Sequence, residues 1–358
     1  MTQITRRDVL RRRLAIQRLQ GEGLSSAADV VRLLGCVQSQ EYAHALWSLG
    51  MRTSGLKVTD AQAEFDRGDF LRTHILRPTW HLVAAEDIRW ILEVTAPRVQ
   101  KLNQTIYRRE RLDPAILDRG LELIIEELEG GRYRTRAELG RVLVDQGIVA
   151  QRLGLAYIVM NAELEGAICS GPMRGAQHTY ALVDERAPRS ADAAGDAAEL
   201  ARRFFLGHGP ASIQDLARWS SLTVSQCREA LETIRDSLDC VTVEGVELWF
   251  DPDALQVGQS RDALLLPLYD ELILSYPLIN FPQANGHPHA PGEDLFVGSV
   301  IIAETNVGTR RRTLQGRKMI MEIALAPGVV ARSRALVEAA ASKLATFAGT
   351  ELELTIIG

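Results

Sequence analysis

The feature that most constrains the fold is a local pattern that occurs three times: two or three amphipathic helical segments, then two short β-rich runs. The second copy is the clearest. Helical apolar spacing runs through "DPAILDRGLELIIEELE", "TRAELGRVLVDQG" and "LGLAYIVMNAELEG", and "AICSGP" and "QHTYALVD" follow as strands. Helix, helix, helix, hairpin is the order of the winged-helix form of the helix-turn-helix. Three copies in succession predict a chain built from tandem units of this kind.

Capping signals support the predicted helix starts. A Ser or Thr followed three residues later by an acidic residue or Gln can form a reciprocal capping box. The second copy has such a pair once and the third copy has it twice: Thr135 with Glu138, Ser212 with Asp215, and Thr223 with Gln226.

The C-terminal part follows a different pattern. "LFVGSVIIAE", "TRRRTLQ" and "KMIMEIALA" predict an antiparallel meander, followed by a helix over about 329–347 and a last strand, "ELELTII". The predicted fold class is therefore α+β, mostly α: three tandem winged-helix units plus a C-terminal antiparallel β/α module. The predicted domains are 1–94, 95–186, 187–258 and 259–358, and "DERAPRSADAAGDAA" is the best linker.

Composition excludes several classes of protein. An apolar fraction of 46% and a charged fraction of 24% are typical of a folded protein. No apolar run reaches the ~18 residues that a membrane span needs, and the charged N-terminal segment is not a secretory signal, so we expect a cytoplasmic protein. Four cysteines far apart, without His partners at ligand spacing, predict reduced core residues and no metal site.

Charge is more informative locally than in total. A formal net charge of −5 argues against general coating of nucleic acid. Two basic clusters nevertheless stand out: the arginines between residues 6 and 13, and "TRRRTLQGRK" over 309–318.

One short motif raises a chemical question. Gln38-Ser39-Gln40 places two uncharged amides around a serine where an apolar segment meets an amphipathic one. A structural interpretation makes it a helix start, with Ser39 as N-cap and both glutamines solvated. A functional interpretation needs support from the rest of the chain.

The order of motifs resembles one family, the winged-helix DNA-binding proteins that include the AlkZ and YcaQ DNA glycosylases. The matching stretches are "QSQEYAHALWSLGMR", "LRPTWHLVAAEDIRWI", "GPASIQDLARWSSLT", "LLPLYDELILSY" and "VGTRRRT", and they span nearly the whole chain. The resemblance implies three winged helices around a concave DNA-binding channel, with the motif of the first unit catalytic. The outer glutamines, Gln38 and Gln40, match the AlkZ pattern. Ser39 replaces its aliphatic residue, Arg310 its usual tryptophan and Pro78 its usual glycine.

Two glutamines suit one kind of glycosylase substrate. Most such enzymes use Asp or Glu to activate water, because an ordinary purine is a poor leaving group. An N7-alkylated purine is already cationic and leaves as a neutral base, so positioning a water suffices. Glutamine cannot act as a general base, but its carbonyl accepts from water while its amide donates.

The remaining candidate residues each have a structural alternative. Arg310, Arg311 and Arg312, with Arg317 and Lys318, predict phosphate contacts from a hairpin, or a solvated basic face. His81 either contacts DNA from the wing or is half-buried, and Trp80 is expected to point to the opposite face, into the core. Asp270 and Glu271 resemble a catalytic acid pair but are better explained as a structural turn. Asp60, Asp66 and Asp69 cannot be ranked as a missing carboxylate.

The resemblance implies a monofunctional DNA glycosylase that releases N7-alkylated purines, bulky adducts or interstrand crosslinks among them, in DNA repair or in self-resistance to an alkylating agent. We expect duplex DNA carrying alkylated purines as its partner, no cofactor, no membrane association, and a monomer that joins the nucleoid when bound to DNA. The alternative is a winged-helix transcription regulator or damage sensor without chemistry. The segment "TVSQCREALETI" offers only Gln226 and Arg228 for base reading, which favours the enzyme.

Overall fold

The computed structural model describes residues 4–148, 152–187, 194–253, 262–289 and 297–358. Within these ranges the helices are α1 (Arg6–Ile16), α2 (Ala27–Leu34), α3 (Tyr42–Met51), α4 (Val58–Arg67), α5 (Ile88–Arg109), α6 (Pro114–Leu128), α7 (Arg136–Asp145), α8 (Arg152–Leu164), α9 (Val183–Arg186), α10 (Ala197–His208), α11 (Ile213–Ser220), α12 (Val224–Ile234), α13 (Glu271–Leu274) and α14 (Val330–Ala348). The strands are β1 (Cys36–Gln38), β2 (Phe70–Arg77), β3 (Thr79–Ala84), β4 (Arg134–Thr135), β5 (Ile168–Ser170), β6 (Thr179–Leu182), β7 (Asp239–Val243), β8 (Val246–Phe250), β9 (Ala263–Leu265), β10 (Gly298–Ile302), β11 (Thr305–Gln315), β12 (Lys318–Leu325) and β13 (Glu351–Ile357). The predicted α+β class is confirmed.

All three predicted capping boxes form. Thr135, Ser212 and Thr223 are the N-caps of α7, α11 and α12, and each exchanges hydrogen bonds with the residue three positions on. Ser212 is typical: its backbone N–H donates to Asp215 Oδ2 at 2.8 Å, and its hydroxyl accepts from the Asp215 N–H at 3.1 Å. These helix starts are therefore fixed by local sequence.

The first sheet contains a strand that the sequence did not suggest. Its order is β1-β3-β2, and β1 pairs antiparallel with β3, with Gln38 opposite His81. Three residues are too few to show an alternating pattern, so only the pairing with β3 defines β1 as a strand. This pairing places the glutamine motif at the end of an ordered strand.

The C-terminal sheet has the order β13-β12-β11-β10-β9. Its predicted meander is antiparallel, but β13 runs parallel to β12. The reason is α14, which runs back along the sheet and returns the chain for a strand in the same direction as β12. The module is thus mixed, where the sequence predicted an antiparallel arrangement.

The hydrophobic cores cross the predicted domain limits. One core combines residues of α2, α3 and α4 with residues of the C-terminal sheet and α14. The predicted limit between residues 94 and 95 lies inside α5, a continuous helix of 22 residues. The limit between 258 and 259 and part of the predicted linker lie outside the described residues. The remaining limit stays a prediction.

Two further expectations concern the chain as a whole. Cys36, Cys169 and Cys227 are buried free thiols as predicted, whereas Cys240 is exposed. Within the described ranges, no helix combines the length and apolarity needed to cross a bilayer.

Candidate active site

The glutamine motif forms a rigid turn between β1 and α3. The Ser39 N–H donates to the Trp80 carbonyl of β3 at 2.7 Å, which continues the strand pairing beyond Gln38. The Ser39 carbonyl accepts two hydrogen bonds from Arg72 of β2, from Nε and Nη2, each at 3.1 Å. The central residue of the motif is therefore fixed through its backbone on both sides.

The two glutamine side chains differ in exposure. Gln38 is only 8% exposed, and its Oε1 faces the Gln40 N–H at 3.4 Å, while Gln40 is exposed. Ser39 is fully buried, and its hydroxyl has no hydrogen-bond partner among the described residues. The turn thus presents an exposed amide beside a nearly buried one.

The interpretation of the motif as a helix start is wrong. The N-cap of α3 is Glu41, and no side chain caps this helix. Ser39 lies two residues before Glu41, where its backbone bonds to β2 and β3. A structural role as N-cap therefore does not explain why two amides flank Ser39.

A buried carboxylate anchors the turn from the C-terminal module. Glu271, fully buried, accepts the Gln38 N–H on Oε1 at 2.8 Å and the Ser275 hydroxyl on Oε2 at 2.9 Å. Burial raises the pKa of Glu271, and the nearby Arg77 opposes that shift. Both oxygens are occupied by structural donors, so this carboxylate positions Gln38 and does not face solvent.

The segment from Leu268 to Glu271 also contacts α3 and the residue that ends it, Arg52. Asp270 forms a buried ion pair with Arg52, at 2.8 and 2.9 Å, and accepts the Ser48 hydroxyl at 2.7 Å. The Leu268 N–H donates to His44 Nδ1 at 3.1 Å. The structural interpretation of the Asp270–Glu271 pair is therefore confirmed: the stretch fixes α3 and the turn relative to each other.

A second network reaches the turn from the second unit. The Arg72 guanidinium lies over the Trp80 ring, 4.2 Å from its centroid, and Trp80 Nε1 donates to Glu163 Oε1 at 3.3 Å. Glu163, on α8, also contacts His74 Nδ1 through Oε2 at 2.5 Å. This chain of contacts connects α8 with the carbonyl of Ser39.

The positions of His81 and Trp80 correct the sequence prediction. His81 is fully buried, with Nδ1 on the Thr79 carbonyl at 2.9 Å and Nε2 near Arg77 at 3.2 Å. Burial, and then Arg77, hold the pKa of His81 well below its usual value. His81 therefore has no surface with which to contact DNA, and the half-exposed residue of the pair is Trp80. The two side chains do point to opposite faces of β3, as predicted, but the buried one is His81 and the half-exposed one is Trp80.

The arginines of β11 also divide differently from the prediction. Arg310 is 2% exposed and donates from Nε to the Leu266 carbonyl at 3.1 Å, so it is not a DNA contact in this conformation. Arg312, on the same face, is half-buried and donates from Nη2 to the Ala43 carbonyl of α3 at 3.2 Å. Arg311 points the other way and is exposed. The face of β11 that carries Arg310 and Arg312 lies against α3, which explains why these arginines are covered and Arg311 is exposed.

The hairpin between β11 and β12 carries the last two basic candidates. Arg317 and Lys318 are both exposed. Lys318 forms an ion pair with Glu353 of β13. The hairpin therefore presents Arg311 and Arg317 to solvent, and the charge of Lys318 is partly compensated.

The three aspartates that precede β2 have structural partners. Asp60 accepts the Lys57 N–H at the start of α4 at 3.0 Å, Asp66 accepts the Met173 N–H at 2.8 Å, and Asp69 pairs with Arg67 at 2.6 Å. Asp60 and Asp69 therefore bond within their own segment, and Asp66 connects α4 to the loop before β6.

Three side chains at the turn were missed by sequence reasoning: Arg72, Glu271 as a Gln38 partner, and His44. Their signal was weak, because Arg72 and Glu271 contact the motif across the fold and His44 bonds to Leu268 of the C-terminal module. The available hint was that His44 and Glu271 lie in stretches that carry the family resemblance, whereas Arg72 lies in none of them.

Comparisons with known proteins agree on one family. The model of the AlkZ-like DNA glycosylase family matches residues 31–347. A relative from Streptomyces sahachiroi, named an interstrand DNA cross-link repair glycosylase, is 27% identical over 256 residues, which cover 67% of each chain. The solved structure of the Streptomyces sahachiroi DNA glycosylase AlkZ matches with a TM-score of 0.80 at 21% identity, covering 99% of this chain and 100% of that one.

Proposed function

Since the chain belongs to the AlkZ-like DNA glycosylase family, we propose that it hydrolyses the N-glycosidic bond of N7-alkylated purines in duplex DNA, with bulky adducts and interstrand crosslinks among its substrates. The name of the Streptomyces relative motivates the crosslink as substrate. The observation that carries the proposal is the turn itself. The turn presents two amides. The carboxylate that contacts it, Glu271, accepts a structural hydrogen bond on each of its two oxygens.

In the proposed reaction, Gln40 and Gln38 position a water beside C1′ of the damaged nucleotide. The water oxygen bonds to C1′ while the bond from C1′ to the purine nitrogen breaks. The electron pair of that bond neutralises the cationic, N7-alkylated ring, which leaves as a neutral base, and the proton from water passes to solvent. The substrate supplies the activation that a carboxylate would otherwise provide.

The rigidity of the turn matters more than any proton transfer. A reacting water must be fixed near van der Waals contact with its target, and a displacement of ~1 Å can cost about a hundredfold in rate. Ser39 is fixed by Arg72 and by β3, and Gln38 by Glu271. These contacts support a geometric role for the two amides.

Family membership favours the enzyme over the regulator without chemistry. For DNA contact we propose Arg311, Arg312 and Arg317, with Lys318 contributing less because of its ion pair. Action without metal or cofactor, the monomeric state and the cytoplasmic location stay predictions.

The direct test is release of N7-methylguanine from alkylated duplex DNA in the presence of EDTA. We expect free base and an abasic site, with strand cleavage only after heat or alkali. A protein–DNA adduct trapped by borohydride would contradict the monofunctional assignment, because trapping requires an amine nucleophile.

Lesion choice tests the role of the amides. Single-turnover rates should fall steeply from N7-methylguanine and N3-methyladenine to the neutral lesions hypoxanthine and uracil in matched duplexes. An amide dipole stabilises developing oxocarbenium charge less than a carboxylate does at the same distance. Comparable rates for uracil and N7-methylguanine would show that a carboxylate performs the activation.

A further inference from the structure

Three nitrogen-bearing side chains lie beside the first turn of α3 without an acidic partner: His44, Arg310 and Arg312. Arg310 uses Nε on the Leu266 carbonyl, and its Nη2 has no partner among the described residues, although the side chain is fully buried. Arg312 donates to the Ala43 carbonyl. In the part of the chain that the structure describes, neither arginine forms an ion pair within 4 Å. Positive charge is therefore concentrated next to the glutamine turn.

His44 belongs to this cluster as a neutral donor. Its Nδ1 accepts the Leu268 N–H at 3.1 Å, so the proton of the neutral ring is on Nε2. Burial, with Arg310 and Arg312 nearby, lowers the pKa of His44 to about 3, and the ring is therefore uncharged at neutral pH. The half-buried imidazole thus offers one N–H and no acceptor beyond the nitrogen already in use.

The chemistry of this cluster selects an anion with several acceptor oxygens. Neither guanidinium forms an ion pair among the described residues, so the two groups favour a negatively charged ligand, and both Nε2–H of His44 and the remaining N–H groups of Arg312 are donors. Burial, and then Arg312, lower the pKa of Arg310 to about 9, and the charge of Asp270, which is paired with Arg52, opposes that shift. Ala43 and His44, in the first turn of α3, follow Gln40 by three and four residues along the chain. A phosphodiester next to the target nucleotide has the right charge, acceptors and location.

We propose that His44 Nε2 and the Arg312 guanidinium bind one phosphodiester of the lesion-bearing strand, and thereby place the damaged nucleotide over the glutamine turn. Arg310 lies beneath and contributes its field without direct contact. This inference rests on the proposed function for its choice of ligand. It adds a defined phosphate subsite, with a neutral histidine as one of its two donors.

Two substitutions of His44 separate its two ring nitrogens. In His44→Asn the amide oxygen can take the position of Nδ1 and still accept the Leu268 N–H, but no donor remains at the position of Nε2. In His44→Gln the longer side chain returns an N–H to that position. The pair therefore distinguishes a phosphate donor from a structural partner of Leu268.

The experiment measures binding to duplexes that carry a tetrahydrofuran abasic analogue, in which each phosphate around it is replaced in turn by an uncharged methylphosphonate. For the wild-type protein we expect one position to weaken binding about tenfold to a hundredfold, as for a lost hydrogen bond to a charged group. His44→Asn and Arg312→Gln should weaken binding to the unmodified duplex similarly and lose most of the sensitivity at that one position. His44→Gln should recover part of it.

Arg334→Gln is the matched control, since Arg334 is an exposed arginine of α14 paired with Glu338. It should leave the methylphosphonate profile unchanged. If His44→Asn keeps the full wild-type sensitivity at every position, the subsite is overturned. Because no bond is hydrolysed in this assay, its result is independent of whether alkylpurines are released, and the two proposals can fail separately.

Discussion

Replacing Arg72 by lysine should slow base excision without weakening DNA binding. Arg72 donates twice to the Ser39 carbonyl at 3.1 Å and lies 4.2 Å from the centroid of the Trp80 ring. Arg72→Lys preserves the charge, but an ammonium group lacks the planar fork that makes both contacts together. The carbonyl between the two glutamines would then be less tightly fixed.

The size of the effect follows from these contacts. A hydrogen bond to a charged group contributes ~1.5–3 kcal/mol, and an arginine over an aromatic ring ~0.5–2 kcal/mol. Arg72 is 7% exposed, so solvent screens these contacts little. Losing one hydrogen bond and the ring contact should cost about 2–5 kcal/mol of unfolding free energy. If displacement of the turn raises the activation barrier of excision by a third to a half of that free energy, the excision rate falls about tenfold, because ~1.4 kcal/mol corresponds to each factor of ten.

The assay is single-turnover release of N7-methylguanine, together with the affinity for an uncleaved duplex and the midpoint of thermal unfolding. Arg186→Lys is the matched control, because Arg186 also donates to two carbonyls, those of Phe65 and Asp66 near the C-terminal end of α4, at 2.9 Å. Arg186→Lys should lower the stability of the protein, but its excision rate at saturating protein concentration should stay within about twofold of the wild-type rate. A wild-type rate for Arg72→Lys, or an equal fall in both variants, would refute the positioning role.

Three more predictions test the site and the fold. Gln40→Ala should lose ten- to a thousandfold in excision rate, about 1.4–4 kcal/mol of barrier, with DNA affinity retained; Gln38→Ala should lose the same or less, and wild-type rates in both single variants would leave the motif without a catalytic role. Arg311→Ala should weaken binding to damaged and undamaged duplex alike and reduce the salt dependence of DNA binding by about one phosphate. Arg310→Met, at a buried position, should lower the protein's stability more than it changes this salt dependence. A salt dependence that falls more for Arg310→Met than for Arg311→Ala would contradict this assignment. Burial lowers the pKa of His208 to about 4, so between about pH 6.5 and pH 4 the unfolded chain binds a proton that the folded chain does not, and stability falls as the pH decreases. At pH 5 His208 should account for about 2 kcal/mol of the lost unfolding free energy. Denaturant unfolding at pH 7.5 and pH 5 checks this: the loss of stability between the two should be smaller by that amount in His208→Gln.

The local elements of this protein could be predicted from its sequence because their causes are local. The capping boxes at Thr135, Ser212 and Thr223 depend on residues three positions apart. Helical and alternating periodicity likewise act over a few residues, and they placed the helices and hairpins of each unit. The motif Gln38-Ser39-Gln40 was found as a pattern of residue types. Its role stays a proposal, since contacts alone do not reveal catalysis.

Only the tertiary structure decided which faces are covered. Alternation shows that His81 and Trp80 point to opposite sides of β3, and that Arg310 and Arg312 share one side of β11, but it does not show which side another element covers. Here α3 covers the Arg310 face, and the core covers His81. Buried positions were therefore mistaken for DNA-contacting ones.

The contacts that make the turn rigid also come from far along the chain. Glu271 meets the Gln38 backbone across 233 residues, and Arg72 meets Ser39 across 33. Neither partner differs in type or spacing from many other charged residues of the sequence. A hydrogen bond forms wherever the fold brings donor and acceptor within ~3 Å. The sequence by itself determined the two amides and their spacing, and the packing of β2, β3 and the C-terminal module around them determined the turn and what fixes it.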